Sequence, residues 1–297
     1  MYIIPLFAVI SRWYLVAGGV VQYGYRSIHI DTVITSAQNS TIKRLRQLAT
    51  SSKARRDANT YLAEGIHLVR SFLTTGQVPT SVVCANSALD NDEVAQLVRE
   101  IQSTSAQQVI VADSLFESFT SIHASVGILI LFSPPKPKEV ASLTQAAMLL
   151  EDVQDPGNLG TMLRTAAAVG IGDVFLSSGC ASPWSPKALR AGMGAQFSLL
   201  VHEQTDLARC MDESTIPTLV TTLSTQSKSL FEVDLTKPVA WVFGSEGQGV
   251  SQHLLDRATT HVLIPQIDSP VESLNVAAAA AVCLYEQYRQ SSEKRGA

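Results

Sequence analysis

The sequence predicts an α/β chain in two parts, a small α/β unit followed by a larger one built on a mainly parallel sheet with helices on both faces. Three observations carry this. In the second half, short apolar runs alternate with helical stretches, which calls for parallel strands whose crossover helices cover the sheet. Before it, Ser133-Pro134-Pro135-Lys136-Pro137-Lys138 interrupts the chain, because proline cannot lie inside a helix or a central strand. A composition 46% hydrophobic and 16% charged supplies a core for each part and excludes a chain that stays disordered. The organisation expected is an apolar extension over 1–34, a first domain over 35–133, a linker over 134–145 and a second domain over 146–297.

The extension is strongly apolar from Met1 to Gln22, with Arg12 its one charge, and no Asp or Glu precedes Asp31. It lacks the basic start of a secretory signal, and Pro5, Arg12 and Gly18-Gly19 break it too early for a spanning helix. No membrane association is expected. An organellar targeting segment fits the missing acids. The reading adopted is a dispensable extension, from a start site upstream of the true one.

In the first domain Ile42, Leu45 and Leu48 recur at helical spacing with lysine and arginine between them, an amphipathic helix with a basic outer face. Tyr61 to Gly65 reads as a strand and turn, and a helix follows over 66–73. Strands are expected over 81–84, 108–111 and 127–132, with a helix around 92–101. In the second domain the strand candidates are 147–151, 173–177, 218–223, 239–243 and 261–264, and a long helix runs from Ala277 to about Gln290.

A formal net charge of −4 excludes a protein that coats nucleic acid indiscriminately, so any RNA contact is local. Lys43, Arg44, Arg46, Lys53, Arg55 and Arg56 form that local excess, the candidate RNA-binding residues. Cys84, Cys180, Cys210 and Cys283 are scattered with no C-x-x-C pair, which argues against a zinc site and a disulfide framework and for a reducing compartment, the cytoplasm.

Three loops of the second domain hold the residues suited to chemistry, and strand-end loops are where ligands sit in such folds. The first, Asp155 to Arg164, has two glycines in a tight turn, a helix starting near Leu159, and Arg164 projecting back towards the loop. The second, Phe243 to Ser251, has three glycines in six residues, which lets backbone approach a ligand. Its order, G-x-x-G-x-G without a GK[ST] ending, is not that of a phosphate loop. The third runs from Ile264 through Ser273, Leu274 and Asn275 into the alanine-rich helix, with Ser273 placed to cap that helix. Each loop alone is also explained as a shaped turn with a solvated charge.

Together, N-x-G-x-x-x-R at 158–164, F-G-x-E-G-x-G at 243–249 and I-P followed by S-L-N-V-x-x-A at 264–279 resemble the three signature motifs of the SpoU (TrmH-like) RNA 2′-O-ribose methyltransferases. The resemblance spans about Ala146 to Gln290. The segments T-S-x-x-N-S-x-I-K-x-L-R and Y-L-x-E-G, over 35–65, resemble the small ribosomal-protein-like RNA-binding domain often found ahead of it. The resemblance implies a deep C-terminal trefoil knot, an exception to the usual rule. It implies S-adenosylmethionine as cofactor, with Gly244, Ile264 and Leu274 holding it and Leu223 and Ser224 beside it, no metal, a homodimer using the last helix, and methyl transfer to a ribose 2′-hydroxyl of RNA.

Under that reading Arg164 stays protonated and so grips the neighbouring RNA phosphate and stabilises negative charge on the 2′-oxygen. Asn158 holds Arg164 and the ribose, Glu246 orients the arginine or the loop, and Ser273 with Asn275 contacts the nucleotide or braces the site. The insert Asp268 to Glu272 departs from the family pattern by placing two acids where an anionic RNA approaches. Ribosomal RNA is preferred to tRNA by analogy of the first domain. The competing class, a non-catalytic RNA-binding or ribosome-assembly factor on this fold, is opposed by the intact set Asn158, Arg164, Glu246, Ser273 and Asn275. A dinucleotide oxidoreductase is excluded because no G-x-G-x-x-G lies in a first strand-turn-helix unit.

Overall fold

The computed structural model describes residues 33–120, 125–137, 140–224, 227–267 and 273–293. The apolar segment before Asp31 and the acidic insert Asp268 to Glu272 lie outside the described residues. The chain divides into two compact units, Met1–Ser133 and Pro134–Ala297.

The first unit runs β1 (Val33–Ile34), α1 (Ser40–Thr50), α2 (Ser52–Asp57), β2 (Tyr61–Glu64), α3 (Ile66–Leu73), β3 (Ser81–Ala85), α4 (Asp92–Gln102), β4 (Gln107–Val111), α5 (Asp113–Glu117) and β5 (Ile128–Phe132). Its sheet has the order β1-β4-β3-β5-β2, with β5 antiparallel to both neighbours. The sheet takes in Val33 and Ile34, which the sequence assigns to the extension. They pair with Ile110 and Val111, a partner choice set far along the chain.

Asn39 starts α1, its side-chain oxygen accepting from the Thr41 amide at 2.8 Å, and Ile42, Leu45 and Leu48 are buried as their spacing requires. One basic residue departs from expectation. Arg55 is 7% exposed and donates to the carbonyls of Leu48 at 2.6 Å and Ala49 at 3.2 Å. It satisfies carbonyls that the end of α1 leaves open and so is not part of the RNA-facing surface.

The second unit runs β6 (Ala147–Leu150), α6 (Pro156–Ala168), β7 (Asp173–Leu176), α7 (Pro186–Gly192), β8 (Leu200–His202), α8 (Leu207–Asp212), β9 (Thr218–Thr221), β10 (Lys228–Ser229), β11 (Ala240–Phe243), α9 (Gln252–Leu255), β12 (Thr260–Leu263) and α10 (Val276–Glu293). Its sheet has the order β10-β12-β9-β11-β6-β7-β8, and each pairing is parallel. Helices cover both faces. Leu149, Phe175, Val220 and Val242 pack with Leu207 and Met211 of α8 and Leu254 of α9. Trp241, one residue out of that register, donates through its indole N–H to Gln287 of α10 at 2.8 Å in the buried interior. Gln290, one turn on, accepts from the Leu235 amide and donates to the Val233 carbonyl, so two amide side chains fasten α10.

Parallel pairing makes the strand ends level. Leu150 lies opposite Phe243, Val242 opposite Val220, and Thr221 opposite Val262. The loops after β6, β11, β9 and β12 therefore leave one edge in adjacent positions. From β6 the chain steps outward to β7 and β8 and then returns for β9 on the other side, and such a reversal opens a crevice at the carboxyl ends. Strand β9 ends at Thr221, short of the expected 223, which leaves Leu223 in the loop and 58% exposed.

Candidate active site

Helix α6 begins at Pro156, earlier than expected, because Asp155 caps it. Its carboxylate accepts from the amides of Gly157 at 2.7 Å and Asn158 at 2.9 Å, while proline at the first helical position needs no acceptor. Asp155 and Pro156 together spell that start in the sequence, a signal the motif reading passed over. Lys187 of α7 reaches Asp155 at 2.6 Å, and this hydrogen bond, then the helix amides, hold the Asp155 carboxyl below its usual range.

Glu246, at the tip of the loop after β11, closes onto the same turn. It accepts from Asn158 Nδ2 at 2.9 Å and more weakly from the amides of Gln154 and Asp155 at 3.4 and 3.3 Å. Partial burial pushes its carboxyl up, but these donors, Asn158 foremost, outweigh that and hold it below the ordinary glutamate range. Glu151 adds a second tie between the two loops, accepting from the Ser251 amide at 2.7 Å.

The third loop joins through Asn275, whose Nδ2 donates to Asn158 Oδ1 at 3.0 Å. Its own Oδ1 accepts from the amides of Ala277 and Ala278 at 2.9 and 3.2 Å, so Asn275, and not Ser273, caps α10. The expectation for Ser273 fails by two residues: the helix starts at Val276, and an N-cap must immediately precede it. Ser273 is exposed beside it.

The structure thus joins Asn158, Glu246 and Asn275 in one hydrogen-bonded chain across three loops. Arg164 is not part of it. It lies two turns along α6, exposed, and among the described residues no ion pair or hydrogen bond engages its guanidinium. Neither Asn158 nor Glu246 orients it, and Glu246 orients the loop instead. On α6, Gly160 allows close approach of α7: a Cβ there would stand 2.4 Å from the Ala188 carbonyl oxygen and 2.7 Å from the Ala191 Cβ.

Beside this cluster, Leu223, Ser224, Gly244 and Ile264 follow adjacent strands. Gly244 is buried, and a Cβ there would come within 2.0 Å of the Gly249 backbone. The loop closes so tightly because Ser245 and Gly249 exchange backbone hydrogen bonds of 3.1 and 3.0 Å. Leu223 and Leu274 expose 58% and 39% of their surface here, apolar area suited to cover a flat heterocycle.

In the first unit, Lys43, Arg44 and Arg56 are exposed, Arg46 donates to the Ser118 hydroxyl at 2.9 Å, and Lys53 pairs with Asp57 at 2.5 Å. Among the described residues no group of His, Cys, Asp and Glu could hold a metal ion.

Two stretches of the chain match known families. Residues 145–285 match the SpoU rRNA Methylase family, and residues 39–129 match the MRM3-like substrate binding domain. An uncharacterized tRNA/rRNA methyltransferase of Synechocystis is 34% identical over 86% of this chain and 93% of its own length. A 23S rRNA (guanosine(2553)-2′-O)-methyltransferase of Bacillus subtilis is 30% identical over 85% and 97%. The crystal structure of an AdoMet-bound rRNA methyltransferase from Sinorhizobium meliloti superposes with a TM-score of 0.77 at 26% identity, covering 87% of this chain and 97% of that one.

Proposed function

The chain belongs to the SpoU rRNA methylase family, and from this we propose that it transfers a methyl group from S-adenosylmethionine to a ribose 2′-hydroxyl of ribosomal RNA. The observation that carries the reading is the convergence of Asn158, Glu246 and Asn275, from three distant loops, with an exposed and unengaged Arg164 on the same helix as Asn158.

The residues fit the cofactor. The exposed Leu223 and Leu274 would flank it, and the backbone around the buried Gly244 and the half-buried Ile264 would hold it. When bound, S-adenosylmethionine supplies a methyl group already activated by the sulfonium. The protein must then orient the hydroxyl, favour loss of its proton and keep water out. The planar guanidinium of Arg164 grips the adjacent phosphate bidentately and stabilises charge growing on the 2′-oxygen. The phosphate or a water molecule takes the proton. Asn158, with both ends of its amide engaged, holds the first turn of α6, from which Arg164 is carried. Asn275 braces the site, its oxygen being spent on the α10 amides, and Ser273 is the hydroxyl left to meet the nucleotide.

The partners we assign are RNA and a second copy of the chain. On the outer face of α10, Val282, Tyr285 and Tyr288 expose 38%, 53% and 47% of their surface, an apolar stripe suited to self-association. A monomer in light scattering at micromolar concentration would sink that assignment. A trefoil knot is supported by the insertion of β12 between β9 and β10 and the packing of α10 on α6. Among the described residues no helix is long and apolar enough to cross a membrane, and we take the site of action to be the cytoplasm.

The test is transfer of labelled methyl from S-adenosylmethionine to ribosomal RNA, with tRNA in parallel. The expected result is label at one alkali-resistant linkage of ribosomal RNA. Cofactor binding without label on either RNA, or on ribosomal precursors, would favour the non-catalytic RNA-binding factor.

A further inference from the structure

We propose that the first unit binds an unstacked RNA base in a pocket of its own, between the flank of α1 and the sheet. The cavity measures about 290 Å³. Thr41 and Arg44 of α1 line one side, Ser81 and Gln107 the other, over an apolar floor that includes Val83 and Leu131. Ser81 lies directly opposite both Gln107 and Leu131, so the three side chains form one row across β4, β3 and β5 on the face that α1 covers.

Two features separate this pocket from a packing gap. Ser81 is only 5% exposed, yet among the described residues its hydroxyl has no hydrogen-bond partner and lines the cavity. Its oxygen is open to the cavity, so the edge of a ligand can take the place of water there. The side chains of Arg44 and Gln107 are likewise without partners among the described residues, so the rim offers a planar cation and an amide that both donates and accepts.

Size and charge name the occupant. A volume at the bottom of the range for small-molecule sites, about 300–1,000 Å³, holds one heterocycle and not a whole cofactor. Lys43 and Arg44 are exposed on the helix that forms the wall, so a phosphate chain running past the pocket meets positive charge. Base-paired RNA keeps its bases in the stack, whereas single-stranded RNA can splay one out. The apolar floor and the Arg44 plane then stack it, and Gln107 and Ser81 bond its edge. This rests on the reading of the chain as an RNA methyltransferase and adds where, and in what form, the first unit takes its substrate.

The experiment measures binding of the full-length chain to two fluorescent oligomers of equal length, a mixed-sequence single-stranded RNA and its abasic counterpart, by anisotropy at several salt concentrations. The wild type is expected to prefer the base-bearing oligomer about tenfold. Ser81→Ala and Gln107→Ala, confirmed folded by thermal melting, should bring the preference towards one with the salt slope unchanged. Arg44→Lys, which keeps the charge and removes the plane, should do the same. Equal binding of both oligomers, a preference that survives all three variants, or no binding of either would overturn the pocket. Cofactor binding and methyl transfer are measured separately: transfer without base preference defeats the pocket alone, and base preference without transfer defeats the reaction and leaves the pocket.

Discussion

The second unit assembles its site from residues far apart in the sequence, while the first presents its cations along two consecutive helices. Asn158, Glu246 and Asn275 meet through bonds of 2.9 and 3.0 Å because seven parallel strands deliver their loops to one edge. In the first unit Lys43, Arg44 and Arg56 stand exposed on α1 and α2, and their placement needs little beyond helical periodicity. One region therefore depends on the mutual geometry of loops, the other on charge. Substitutions should fail differently in each.

The largest effect is expected at Arg164, which joins neither pattern. Because it is exposed and unengaged, Arg164→Ala should change stability by less than about 0.5 kcal/mol. It should lower methyl transfer by about 10²–10³-fold at undiminished cofactor binding, the size of losing one charge-stabilising donor. Turnover within a factor of a few of wild type would remove Arg164 from the reaction.

Gly244→Ala attacks the loop geometry itself. The new Cβ would have to push aside the Gly249 backbone, and overpacking of this kind costs about 1–3 kcal/mol. Denaturant titration should show that loss together with weaker cofactor binding. An unchanged midpoint would mean that the loop is free to open.

The first unit offers an internal contrast between adjacent arginines. Arg55→Ala should destabilise by about 1–3 kcal/mol, since it strands carbonyls at the end of α1. Arg56→Ala should leave stability alone and, where Arg56 touches phosphate, reduce the salt slope of RNA binding by about 0.7–0.9. Reversed outcomes would exchange their roles.

The smallest effect concerns Glu246. Its carboxyl is depressed in the folded chain, so its stabilisation is full above the unfolded value, about 4.3, and is lost as pH falls through the lower folded value. The stability difference between wild type and Glu246→Gln should be constant from neutral pH to about 5 and shrink below it. A difference that grows on acidification would contradict the clamp.

Much of this was legible in the chain before folding. Alternating apolar runs specify a parallel sheet, prolines over 134–137 interrupt it, and Ile42, Leu45 and Leu48 mark the buried face of α1. The short strands β8 and β10 were not, because two or three residues at or near a sheet edge leave no periodic trace. Nor was the pocket beside Arg44, whose walls come from α1, β3, β4 and β5.

Residue type and spacing are local properties, so the motifs, their strand-end positions and the basic helix follow from the sequence. Partner choice is not local. Whether Ser273 or Asn275 caps α10, whether Arg55 faces solvent or the end of α1, and whether Glu246 holds an arginine or a loop depend on which remote backbone groups arrive within about 3 Å. Buried polar groups accept whatever donor or acceptor the packed chain brings to them, and folding decides which one that is.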